Sequence, residues 1–161
     1  MFPDFGSGVP GANKIASYIP AVCREYIREE REATHMSNAK PQVRMVRQGD
    51  IFYARIPETE GSVQHGVRPV IITQNNRLNR NSTTYVCVLV TSQIKRLDLP
   101  EHVLLPKTAG LPRASMAMAE QRMTIDRTQL IEYVGKVRKE TYKRIRRALR
   151  VCEKVEKHYK R

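Results

Sequence analysis

The side chains that most often do chemistry are scattered along this chain. His35, His65, His102 and His158 include no HExxH pair that would set two imidazoles on one helix face for zinc. Cys23, Cys87 and Cys152 are odd in number and form no CxxC pair, so neither a zinc cage nor a disulfide framework is expected. No GxxxxGK[ST] loop is present to cradle a triphosphate, and Ser62 sits in a Gly-Ser turn without the GxSxG elbow. Metal hydrolysis, triphosphate hydrolysis and serine hydrolysis therefore lack support, and no metal or cofactor is expected. What remains is a set of polar residues at the edges of apolar strands. GSVQHGVRP, residues 61–69, runs into PVIITQN; Thr91-Ser92-Gln93 closes VCVLV; Glu120-Gln121 follows the stretch around Met116–Ala119, with Thr124-Ile125-Asp126 just beyond. The net charge of +13, from 29 Lys and Arg against 16 Asp and Glu, argues for a polyanionic partner, either nucleic acid or an acidic protein.

The elements that must position these residues are short. Asp50–Ile56, Arg68–Thr73 and Thr84–Val90 read as strands, the last the most apolar and central. His102–Leu105 and Ser115–Ala119 are weaker strands, and residues 77–82, RLNRNS, read as a polar basic loop carrying Arg77 and Arg80 as RNA-binding candidates. Short, evenly spaced strands predict a mainly β protein built as a small antiparallel barrel. The C-terminal end differs. Tyr142, Ile145, Leu149, Cys152, Val155 and Tyr159 mark one face of a helix over 139–159, and the opposite face is almost solidly Lys and Arg. Residues 136–161 hold 12 basic and 3 acidic residues, so the basic signal concentrates there.

At 161 residues the chain allows one domain, or one domain plus a tail. Residues 1–44 are nearly charge-balanced, begin in a Gly- and Pro-rich stretch that reads as disordered, and include a possible short helix at 21–32. They are expected to be an extension, an upstream start with the true one at Met36 or Met45, or a cloning remnant. The domain proper is placed at 45–161. The N-terminus lacks the pattern of a signal peptide, and no run approaches the ~18 apolar residues of a membrane helix. The expected setting is a reducing cytoplasm, with no membrane partner.

Several motifs carry a resemblance. Gly49-Asp50-Ile51-Phe52-Tyr53, Gly61-Ser62-x-Gln64-x-Gly66-x-Arg68-Pro69-Val70, Gln74-Asn75, Thr91-Ser92-Gln93, Leu99-Pro100-x-His102-Val103, Gly110-Leu111 and Thr124-Ile125-Asp126 occur in order across 46–150. Together they resemble the MazF/PemK (Kid-like) toxins of type II toxin–antitoxin pairs. The resemblance implies an SH3-like or CcdB-like antiparallel barrel with a C-terminal helix, pairing as a homodimer. It implies a metal-independent endoribonuclease acting on single-stranded RNA. In that reaction the ribose 2′-hydroxyl attacks the adjacent phosphate and leaves a cyclic phosphate and a 5′-hydroxyl. It also implies a cognate acidic antitoxin that blocks the RNA groove.

The residue types suit that reaction. Arg68, at a strand start fixed by Pro69, offers a rigid fork to the phosphate, or is an ordinary surface arginine. Thr91 and Ser92 hydrogen-bond the phosphate, or cap the strand end. Gln64 anchors its loop or touches a base, and Gln93 joins the RNA-binding set. Two groups are candidates for the general base: Glu120, matched to an acid that some relatives use, and His65, whose ordinary pKa suits the task. Val63 stands where some relatives carry a carboxylate and Met118 where some carry arginine. Arg122 falls one residue early against the family's Gln-x-Arg-Thr-Ile-Asp, a shift that reverses the face a strand residue points to. Two other readings use the same fold: a CcdB-like gyrase poison, and a nucleic-acid-binding member that no longer cleaves. The basic helix reads as an RNA clamp, an antitoxin contact or a solvated face.

Overall fold

The computed structural model describes residues 45–58, 61, 64–107 and 110–154. The first expected segment, 1–44, and the end of the expected helix, 155–159, lie outside the described residues.

Six strands build one antiparallel sheet: β1 (Asp50–Ile56), β2 (Gly66–Ile72), β3 (Thr84–Thr91), β4 (His102–Leu105), β5 (Ser115–Asp126) and β6 (Leu130–Lys136). Their spatial order is β4-β5-β3-β2-β1-β6. The helix α1 (Asn76–Asn81) links β2 to β3, and α2 (Lys139–Cys152) follows β6. The mainly β antiparallel architecture with a C-terminal helix is the expected one. β1 starts at its expected residue because Gly49 takes φ +84 and the buried Asp50 carboxylate accepts the Arg47 N–H at 2.9 Å, closing the turn.

The sheet buries both faces, so its central strands read as near-continuous apolar runs. One core gathers Phe52, Ala54, Ile56, Val70, Ile72, Tyr85, Cys87, Leu89, Met116 and Met118. The other gathers Ile51, Ile71, Val88, Val90, Val103, Leu105 and Ala117 with Ile145 and Ala148 of α2. Alternation along each strand therefore assigns every residue to the first core or to the helix side. The edges of the sheet come together at Gly110, after β4, which lies so close to β6 that a Cβ there would collide with the Val134 carbonyl oxygen.

Four local expectations are corrected. Residues 76–81 form a helix rather than a loop, because the Asn75 side chain accepts the Leu78 N–H and caps its first turn. β5 runs to Asp126 rather than Ala119, through a bulge that sets Met118 against Leu89 but Arg122 against Val88. β6 was not expected at all: nearly all its residues are half-buried, so no alternation marks it, and it pairs with β1 from far along the chain. The helix α2 stops at Cys152, which is exposed, so its buried stripe is Tyr142, Ile145, Ala148 and Leu149.

Candidate active site

Arg68 and Thr91 sit at the same end of the neighbouring strands β2 and β3. β2 and β3 pair Ile72 with Cys87, Ile71 with Val88 and Val70 with Leu89. Continued two residues, the same register sets Arg68 opposite Thr91 at one end of the sheet. Both positions share the face of Val70 and Leu89, the side away from α2. Arg68 is held in place by its own loop: its Nε–H donates to the His65 carbonyl oxygen at 3.0 Å. That leaves its two terminal nitrogens to face a phosphate. Thr91 is 4% exposed, and its hydroxyl oxygen accepts the Gln93 N–H at 3.1 Å. The strand-end capping role is thus real, and the hydroxyl proton remains to donate to a bound oxygen. Ser92 and Gln93 lie exposed directly beyond it.

Gln64 is anchored from the other side. Its backbone N–H donates to the Gln121 side chain at 3.3 Å, tying the β1–β2 loop to the β5 bulge. Its own Oε1 is buried and accepts no hydrogen bond among the described residues. His65 is exposed, and its ring makes no hydrogen bond among them.

Glu120 sits in the bulge of β5 and is the best-oriented titratable group. Its Oε1 lies 3.2 Å from Nε2 of His102. The other ring nitrogen, Nδ1, faces the carbonyl oxygens of Arg96 at 2.8 Å and Lys95 at 3.1 Å. Carbonyls only accept, so Nδ1 carries a proton, and a second proton on Nε2 is favoured by the carboxylate. Burial pulls the His102 pKa down, but the bonds to the Arg96 carbonyl and Glu120 outweigh it and hold it above the usual histidine range. Arg96 takes φ 49, a left-handed conformation uncommon outside glycine, in the loop whose carbonyls clamp the ring. Two strand spacings, ~10 Å, separate β5 from β2, so Glu120 and Arg68 do not touch.

The remaining candidates are placed elsewhere. Arg77 and Arg80 are exposed on α1, which joins the far ends of β2 and β3, so the structure does not bring them to Arg68 and Thr91. Arg122 points to the helix side and pairs with Glu153, while Met123 packs against the first core. Among the described residues, no group of three His, Cys, Asp or Glu is placed to hold a metal ion. Burial pushes the Cys87 thiol up to about 12, which removes it as a nucleophile. Sequence reasoning missed His102 as a site residue; its place in the Leu99-Pro100-x-His102-Val103 motif was the available signal.

Comparison with known proteins gives the family and the fold. Residues 47–152 match the family described as PemK-like, MazF-like toxin of type II toxin-antitoxin system. Endoribonuclease EndoA of Bacillus subtilis (strain 168) is 35% identical over 108 residues, spanning 66% of this chain and 93% of that protein. Endoribonuclease MazF of Staphylococcus saprophyticus is 36% identical over 89 residues, 55% of this chain and 74% of that protein. The solved endoribonuclease in complex with its cognate antitoxin from Mycobacterial species superposes with a TM-score of 0.56 at 22% identity, over 67% of this chain and 94% of that one, and so shares the fold. With the family match covering residues 47–152 and a curated relative 35% identical over 93% of its own length, the chain belongs to the PemK-like, MazF-like toxins of type II toxin–antitoxin systems.

Proposed function

We propose that this chain, an endoribonuclease toxin by its family, cuts single-stranded RNA without a metal ion. The observation that supports the reading is the β2–β3 register, which, carried two residues past its last pair Val70–Leu89, would set Arg68 beside Thr91. In the proposed step the ribose 2′-oxygen attacks the adjacent phosphorus and Glu120 takes the 2′-proton. The bond from phosphorus to the 5′-oxygen breaks, giving a cyclic phosphate and a 5′-hydroxyl. Arg68 stabilises the extra charge on the phosphorane, with the Thr91 hydroxyl as a second donor. His102 acts as a positioning residue, aiming the Glu120 carboxylate through the 3.2 Å contact between Nε2 and Oε1. The leaving 5′-oxygen takes a proton from solvent or from His65, beside Arg68.

The working domain is read as residues 45–161, with 1–44 an extension, and the setting as the cytoplasm. Among the described residues no helix is long and apolar enough to cross a membrane. The proposed partners are single-stranded RNA, a second copy of the chain and an acidic antitoxin, which a net charge of +13 favours. Incubation with single-stranded RNA in EDTA tests the activity. Cleavage to cyclic-phosphate ends is expected in wild type and loss in Arg68→Ala; binding without cutting would sink the reading. Light scattering is expected to give the mass of a dimer at micromolar concentration.

A further inference from the structure

We infer that the outer face of α2 is a second RNA contact, a phosphate track that grips the strand flanking the cut and carries no sequence information. The identity of its ligand rests on the reading of the chain as an RNA-cutting toxin.

Lys143, Arg146, Arg147 and Arg150 fall at i, i+3, i+4 and i+7, which sets them in one stripe along the helix. All four are exposed. With Glu140 and Arg144 they line an open recess of about 450 Å³. The stripe rises ~10 Å along the axis. Each of its four cations can neutralise one phosphate of a strand laid along it.

Among the described residues, only Lys143 of the basic residues of this face is paired, with Glu140. Glu140 is already taken by Lys143 at 3.0 Å, and Glu153 by Arg122. Arg144, Arg146, Arg147 and Arg150 make no ion pair among the described residues. Four arginines beside one another present the planar forks that suit phosphate oxygens.

Charge alone would also suit an acidic protein, but a protein partner needs apolar anchors that can be desolvated at the centre of the contact. Among the described residues of α2, Val151, 37% exposed, is the large exposed apolar side chain, and it lies at the helix end, outside the recess. A second copy of this face is disfavoured as well, because two-fold symmetry would set like charges against each other.

The C-terminal end of α2 lies near the bulge that carries Glu120, whose charge acts on Cys152. Glu120 turns to His102 on the catalytic side of β5, and Arg122, two residues on, turns to Glu153 at the end of α2. The β5 bulge thus leads from one face of the sheet to the other.

The test uses the full chain and a 20-nucleotide 2′-O-methyl RNA, which binds but offers no attacking hydroxyl. Its affinity is measured against KCl concentration for wild type and for K143Q/R146Q/R147Q/R150Q. At a log–log slope of about −0.7 per phosphate on a single strand, losing three to four contacts flattens the slope by about two to three units. The charge-retaining variant K143R/R146K/R147K/R150K is expected to keep the wild-type slope, which separates lost charge from lost folding. Cleavage of a six-nucleotide substrate is expected to be unchanged in the glutamine variant, while KM for a long RNA rises. An unchanged salt slope overturns the inference, and an unchanged slope with weakened binding of an acidic polypeptide reassigns the face to a protein partner. A flattened slope in a chain that cuts no RNA would leave the track standing and sink the proposed activity instead.

Discussion

His102 Nε2 stands 3.2 Å from Glu120 Oε1, one step diagonally across the β4–β5 ladder from its own partner Met118. Because the folded pKa of His102 is raised above its ordinary 6.5, protonated His102 stabilises the fold. That contribution is fully present below pH 6.5 and is lost as the pH rises through the raised value. The difference in urea midpoint between wild type and His102→Gln is therefore expected to be largest below pH 6.5 and to shrink as the pH is raised beyond it. A difference that grows with pH would contradict a stabilising imidazolium.

The same pair decides the general base. A base works when deprotonated, so kcat/KM is expected to rise with pH through its pKa and then level. Glu120→Gln should lose ~10²–10⁴ in rate and with it this acid limb. His102→Gln should lower kcat, because the carboxylate loses the partner that orients it, while His65→Ala should leave the limb in place. An acid limb that survives Glu120→Gln and vanishes in His65→Ala would move the base to His65.

Arg68→Ala is expected to lower kcat by ~10²–10³, the usual loss for one donor to a developing anion. Arg68→Lys should recover little of it, since an ammonium cannot reproduce the fork fixed at the His65 carbonyl. Circular dichroism checks that both stay folded. Near-normal rates in folded Arg68→Ala would remove the phosphate site from this end of the sheet.

At position 91 the hydroxyl is the variable that matters. Thr91→Ser keeps it and should retain most activity, whereas Thr91→Val, similar in shape, should lose ~10²–10³. Equal rates in the two variants would reduce Thr91 to the capping of the Gln93 N–H.

Gly110→Ala should destabilise the fold without touching the site. Its φ of +83 costs an L-residue ~1–2 kcal/mol, and the added Cβ would collide with the Val134 carbonyl oxygen as well. Thermal unfolding should show a fall of several degrees. An unchanged melting temperature would mean that the segment moves freely away from β6.

Local pattern was enough for what depends on neighbours in the chain. DIFYARI and HVLL give their strands to the residue, because apolar β-formers bounded by turn residues state their conformation locally. The face of α2 that packs on the sheet was legible from Tyr142, Ile145 and Leu149 at helical spacing. The motif order placed Arg68, Thr91 and Glu120 among the candidates. Tertiary structure alone decided what depends on residues far apart. β6 exists because β1 offers it a ladder some 80 residues away, a pairing no local period encodes. The bulge in β5 turns Glu120 toward His102 and Arg122 toward α2, and a three-residue insertion in register is invisible in one strand read alone. The His102 clamp needs carbonyls from a loop, a carboxylate from another strand and burial together. Arg77 and Arg80 failed to join Arg68 and Thr91 for the same physical reason: in an antiparallel sheet, the residues after one strand lie a full strand length from the residues before it.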